Sequence, residues 1–262
     1  MFKRAVPFAI IGSALAIGCG TEAQPSSTDE TQEIISNLVQ AGFPSDDIMV
    51  ADGVVYVGRD AAVSLLASRE MLQNDSASGD QEQYRTTNLL SSSVTTVCVN
   101  GSAFTGSFST ALDNAIARYN AVGLTFTMKR TTGSTTGCSA TITAAIASGV
   151  VGGSSGFPSG GLPYGTINIG SGLTSYATST ITHVIMHELG HTIGFRHSDY
   201  YNRAISCGGS ASNEGSAGVG AILISRTPST TTVGGSVMNS CFRATESGTF
   251  TSTDLTALLA LY

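Results

Sequence analysis

Hydrophobic positions recur with two different periods along this chain, and the changes of period mark out its elements. Ile34, Ile35, Leu38 and Val39 lie at helical spacing within residues 31–41, and Gly42 ends that run. Ile48-Met49-Val50 and Val54-Val55-Tyr56-Val57 flank Asp52-Gly53, a dipeptide that accepts the positive φ angles of a two-residue hairpin turn. A second helix is predicted over 60–72, and the polar residues 73–87 read as a linker. A strand at 94–99 comes next. Phe108, Leu112, Ala115, Ile116 and Tyr119 then mark the buried face of a helix over 108–121. Strands are predicted at 124–130, 140–145 and 166–169, with Gly-rich tracts at 131–137, 152–161, 208–220 and 229–236 as loops. A helix over 179–193 carries Ile181, Val184, Ile185 and Leu189, and Leu255, Leu258, Leu259 and Leu261 give the final helix its apolar face.

At the front, Lys3 and Arg4 precede an apolar run over 5–18 that is too short to span a bilayer and reads as a signal peptide. Leu15-Ala16-Ile17-Gly18-Cys19 resembles a bacterial lipoprotein cleavage box, so Cys19 is the expected lipidation site and the sole membrane attachment. Ordinary cleavage with release is the alternative. Either way the chain is expected to be exported, as an outer membrane lipoprotein or a secreted protein. The organisation expected is a leader at 1–18, a tether at 19–31, a small helix–hairpin–helix module at 32–75 acting as prosegment or docking unit, a linker at 76–93 and a main domain at 94–262.

Charge sharpens that division. Residues 20–96 hold 12 acidic and 3 basic side chains, and residues 97–262 hold 6 acidic and 7 basic. Only 11% of the 262 residues are charged and the net charge is -6, which leaves no basic surface to neutralise phosphates and excludes nucleic acid as a partner. Apart from Cys19, the cysteines are Cys98, Cys138, Cys207 and Cys241, an even set suited to an oxidising compartment. Two disulfides are expected. Of the three possible pairings, Cys98–Cys138 and Cys207–Cys241 are favoured because each staples neighbouring segments.

All 4 histidines fall between positions 183 and 197. On a helix, His187 and His191 share a face and can aim two imidazoles at one zinc ion. A third imidazole six residues on would be rotated away if the helix continued. Gly194 resolves this, because glycine can end a helix in the left-handed conformation and turn the chain back, so that His197 completes a three-His site. Three neutral imidazoles leave one position for water, the open arrangement of catalytic zinc. Glu188 adjoins the first ligand, where it can take a proton from that water during attack on a carbonyl and pass it to the leaving amine. The pattern predicts a zinc-dependent endopeptidase acting on polypeptides. A surface binding or adhesion lipoprotein with non-catalytic zinc is the alternative. His183, four residues before His187, reads as a core histidine.

Residues 187–197 match the long zinc-binding consensus of the metzincin metallopeptidases, and Ser236-Val237-Met238-Asn239 resembles their Met-turn. The segment Gly-Phe-Arg-His-Ser-Asp-Tyr at 194–200 is most similar to the bacterial dual-action HEIGH metallopeptidases, with Leu189 where that name implies Ile. The resemblance implies an α+β fold: a twisted, mostly parallel sheet with a backing helix, an active-site helix, a Met-turn and a C-terminal helix. It implies Met238 as the hydrophobic floor of the site, and substrate pairing as an extended strand with a sheet edge, here Tyr164–Ile169. Asp199 would support a ligand or the Met-turn, or else serve as a surface cap. Asp254 resembles a carboxylate that receives a mature N-terminus, although stabilising the last helix is the simpler role. Ser240 stands where a fifth ligand would lie in a related group. No cysteine precedes residue 98 apart from Cys19, so if the front module is inhibitory, a carboxylate such as Asp46, Asp47 or Asp52 would have to reach the metal.

Overall fold

The strand-forming segments of both halves of the chain join into one sheet. The computed structural model describes residues 28–73, 83–215, 221–228 and 230–262. In chain order the elements are α1 (Thr28–Gln40), β1 (Met49–Ala51), β2 (Val54–Val57), β3 (Ala61–Ala62), α2 (Leu65–Met71), β4 (Tyr84–Arg85), β5 (Thr96–Asn100), α3 (Gly106–Asn120), β6 (Thr127–Thr131), β7 (Ala140–Ala147), β8 (Gly153–Gly156) and β9 (Thr166–Gly170). A 3-10 turn at Ser171–Ser175 leads to α4 (Thr178–Thr192), α5 (Ala204–Cys207), β10 (Ile222–Leu223) and α6 (Ser252–Leu261). The sheet has 8 strands in the order β1-β2-β3-β8-β9-β7-β5-β6, and β10 and β4 form a separate pair. The β5–β6, β5–β7, β7–β9 and β3–β8 pairs are parallel. This is the mostly parallel α+β architecture expected. Cys19 and the expected leader lie outside the described residues, and no helix among those described is long and apolar enough to cross a membrane.

The main core lies where α3 and α4 pack against one face of this sheet. Val97, Val99, Ile142, Ile167 and Ile169 from the strands meet Leu112 and Ala115 of α3 and Ile181, Ile185 and Leu189 of α4. Each fully buried aliphatic side chain of this kind contributes roughly 1.5–3 kcal/mol. A second core joins Ile34, Leu38, Phe43, Val55, Val57, Val63 and Met71 of the front part to Phe157, the residue after β8. Cys98 pairs with Cys138 and Cys207 with Cys241, as favoured from the sequence. Both bridges are consistent with export.

Four expectations change. Helix α1 starts at Thr28, inside the stretch 19–31 expected as tether. The predicted second helix over 60–72 splits into β3 and the shorter α2, because Ser64 caps α2 by accepting a hydrogen bond from the Ala67 amide at 3.1 Å. Within the expected linker at 76–93, β4 pairs with β10, and Gln83, Thr86 and Asn88 are buried, with Gln83 Nε2 donating to Ser236 and Asp254 and Asn88 Nδ2 to the Pro158 carbonyl. Finally, the Gly-rich tract 152–161, predicted as loop, contains β8. Strand β9 is therefore interior, between β7 and β8, and Tyr164–Ile169 is not the free edge expected for substrate. Glycine suits β8 for a steric reason: a Cβ on Gly153 would lie 2.5 Å from the Glu188 carboxylate. The hairpin turn is as predicted, with Asp52 and Gly53 at φ 51° and 78°.

Candidate metal centre

Helix α4 delivers the first two imidazoles and its ending delivers the third. His187 and His191 lie one turn apart, and their Nε2 atoms are 3.1 Å from each other. At the C-terminus of α4 the Phe195 amide donates to the Gly190 carbonyl at 3.0 Å and the Gly194 amide to the His191 carbonyl at 2.9 Å, a Schellman closure with Gly194 at φ 105°. A Cβ at Gly194 would also lie 2.6 Å from the Asn88 carbonyl, so only glycine fits. The chain then runs back beside β4, where the Arg196 amide donates to the Tyr84 carbonyl, and His197 Nε2 arrives 3.3 Å from His187 Nε2. The three predicted ligands are thus together.

Each ring is oriented through its other nitrogen. His187 Nδ1 donates to the Val237 carbonyl, His191 Nδ1 to the Phe195 carbonyl, and His197 Nδ1 to the Glu214 carboxylate, all at 2.8 Å. This assigns the same tautomer to all three and leaves three Nε2 lone pairs converging. Glu214 is itself 1% exposed and held by Arg203. Burial alone would raise its pKa, but His197, Arg196 and Arg203 outweigh this and hold it at about 2.

The fourth corner belongs to a residue that the sequence did not single out. Asp60 Oδ2 lies 3.1 Å from His197 Nε2 and 3.7 Å from His187 Nε2, and its Oδ1 lies 3.7 Å from His191 Nε2. Among the described residues Asp60, His187, His191 and His197 form a group able to hold a metal ion. Burial works against the charge on Asp60, yet the neighbouring histidines hold its carboxyl well below the usual range. The front-part carboxylates named from the sequence lie elsewhere: Asp52 occupies the hairpin turn, and Asp47 accepts the Gly58 amide at 2.8 Å. Asp46 is exposed. The open fourth position expected from three histidines is therefore filled in this structure.

Glu188 is 2% exposed and its Oε2 is buried without a hydrogen-bond partner. Burial raises its pKa well above the carboxylate range, and the charge on Asp60 adds to the effect. Below the histidines, Met238 packs against Gly190, where a Cβ would come within 2.5 Å of its sulfur. Asp199 accepts the Ser240 amide at 2.9 Å and hydroxyl at 2.7 Å, and the Ser206 hydroxyl at 2.5 Å, so it braces the turn from the side rather than capping a surface. Ser240 Oγ is engaged there, donating to Asp199 and also to Glu214 at 3.2 Å. Asp254 closes a capping box with Thr251 at the start of α6 and also accepts Ser236 Oγ at 2.7 Å and the Val237 amide at 3.1 Å. Gln83 reaches both Ser236 and Asp254.

A cavity of about 370 Å³ opens beside the group, lined by Val150–Gly153, Val184, Asn239 and Phe242, with Arg59 and Asp60 on the front side. His183 also lines it, standing apart from the metal group, with Nδ1 3.7 Å from Glu246 Oε2 and Nε2 unpartnered. Burial pushes its pKa from 6.5 down to about 4. The unfolded chain therefore takes up a proton that the folded chain refuses, so stability is complete above pH 6.5 and falls as the pH drops towards 4. Urea unfolding across that window is expected to show His183→Gln losing up to one proton of this slope, about 1.4 kcal/mol per pH unit, relative to wild type.

A buried donor set of three imidazoles and one carboxylate defines the protein as one built to hold a metal ion. The profile of the family described as dual-action HEIGH metallo-peptidase matches residues 55–262, and the chain belongs to that family. It is accordingly a metallopeptidase, with polypeptides as its substrate class. Among solved structures, one of myroilysin is 15% identical, with 70% of this chain and 98% of that chain covered and a TM-score of 0.42. A second myroilysin structure is 19% identical, covering 42% of this chain and 46% of that one at a TM-score of 0.30. Among curated proteins none matches.

Proposed function

We propose that the chain is an exported zinc-dependent endopeptidase in which Glu188 is the general base. The observation that carries this reading is the convergence of three Nε2 atoms beside a buried carboxyl whose Oε2 has no hydrogen-bond partner. A tetrahedral zinc ion with Zn–N bonds of about 2.0–2.1 Å separates its ligand nitrogens by about 3.3 Å. The separations of 3.1 and 3.3 Å at His187 fit that donor set, and the Nδ1 of each ring faces an acceptor, which suits a proton on the far nitrogen. His187, His191 and His197 would hold the ion, which supplies polarisation of the scissile carbonyl and stabilises the negative charge that develops on its oxygen.

Glu188 then handles the proton. As a carboxylate it can accept a proton from the attacking water and hand it to the leaving nitrogen. The Asp60 charge works against that ionised form, an effect lost when Asp60 is absent from the site. Gly153 gives Glu188 room, and the Ser155 hydroxyl, donating to the Glu188 carbonyl at 2.9 Å, ties β8 to the helix that carries it. The cleft wall from Val150 to Gly153 and from Asn239 to Phe242 holds no charged side chain that could grip a chain terminus, which favours cleavage within a polypeptide over trimming of its ends. Lipidation at Cys19 would keep the enzyme on the outer membrane.

The test uses both the full chain and its Asp60→Ala variant. Zinc at ~1 equivalent per chain is expected by metal analysis. Chelation should abolish hydrolysis of an unfolded polypeptide and lower the melting temperature, and added zinc should restore both. Hydrolysis that persists in metal-free protein would sink the reading.

A further inference from the structure

We propose that the front part of the chain is a built-in inhibitor, with the Asp60 carboxylate as fourth ligand to the metal and β3 as a mock substrate strand on the exposed side of β8. The inference rests on the zinc peptidase reading above and concerns how that same site is regulated.

Two independent features support it. The first is the carboxylate. Asp60 places both oxygens within 3.7 Å of the three Nε2 atoms, and its Oδ1 is buried without a hydrogen-bond partner. An unpartnered anionic oxygen in such a place is costly unless a cation completes it. The second is the sheet edge. Within 94–262 the sheet ends at β8, the strand beside Glu188, and β3 covers it: the Ser155 amide donates to the Asp60 carbonyl at 2.9 Å and the Phe157 amide to the Ala62 carbonyl at 3.1 Å. An extended polypeptide seeking backbone pairing next to the metal would need those same donors.

The turn that presents Asp60 is shaped for the purpose. Gly58 and Arg59 take consecutive positive φ angles of 61° and 77°, which fold the chain sharply between β2 and β3. A side chain at Gly58 would meet Glu214 at 2.9 Å and His197 at 3.1 Å, so the backbone approaches a metal ligand as closely as glycine permits. Asp47 accepts the Gly58 amide and Arg203 donates to the Gly58 carbonyl, the same Arg203 that holds Glu214. Residues on both sides of the cleft thus fix one turn, and that turn closes the site.

The experiment compares full-length wild type with Asp60→Ala and with Asp60→Asn, which keeps the side-chain shape should the alanine variant fold poorly. Two readouts are taken: hydrolysis of an unfolded polypeptide by the zinc form, and titration of the cobalt-substituted form with acetohydroxamate, followed by visible absorption. Because both scale with the open fraction of sites, each variant is expected to hydrolyse at least ~10-fold faster and to bind hydroxamate at least ~10-fold more tightly than wild type. Equal hydrolysis and equal hydroxamate affinity in all three proteins would overturn the inhibitor and leave the peptidase standing. A hydroxamate difference without hydrolysis in any protein supports the inhibitor while removing the peptidase reading. Failure of all three to take up metal overturns both.

Discussion

Glu188→Gln, introduced into the Asp60→Ala chain, is expected to slow hydrolysis of an unfolded polypeptide by ~10²–10⁴-fold while metal content stays unchanged. Glutamine preserves the volume and leaves the three imidazoles in place, but it cannot accept a proton. The confined position beside Gly153 makes the comparison sharp, because the substituted side chain has little freedom to move aside. Full activity with glutamine at this position would remove Glu188 from the mechanism. Rate and metal content measured on the same preparation separate a lost base from a lost ion.

The second large effect is expected at Glu214. This carboxylate is buried against His197, Arg196 and Arg203, so removing it leaves two guanidinium groups short of a counter-charge. Glu214→Ala is expected to cost about 3–5 kcal/mol in urea unfolding, the range for breaking one side of a buried ion pair. Glu214→Gln retains an acceptor for His197 Nδ1 but not the charge. It should fold, with affinity for zinc lowered about 10–100-fold in competition with a chromophoric chelator. An unchanged affinity would mean that His197 is oriented by its packing alone.

The convergence of the three histidines and the helix break at Gly194 were legible because local spacing decides them: a four-residue repeat on a helix and a glycine at its end need no knowledge of distant chain. The closing carboxylate was not. Asp60 lies at the start of the segment 60–72 predicted as helix, whereas in the structure it follows a tight turn and precedes β3. What overrides the pattern is pairing of β3 with β8, a contact between residues almost a hundred positions apart. Glu214 was hidden in the same way. It sits in a Gly-rich stretch, held by Arg203, Arg196 and His197 and by its own amide, which donates to the Tyr200 carbonyl at 2.7 Å. Strand β8 was missed because its glycines accommodate Glu188 and Tyr164 rather than advertise a strand.

Asp254 joins the last helix to the Met-turn, and the Met-turn carbonyl at Val237 in turn holds His187. The first ring of the histidine motif is thus steadied by a carbonyl 50 positions further along the chain. Truncation of α6 is therefore expected to lower metal affinity as well as the melting temperature.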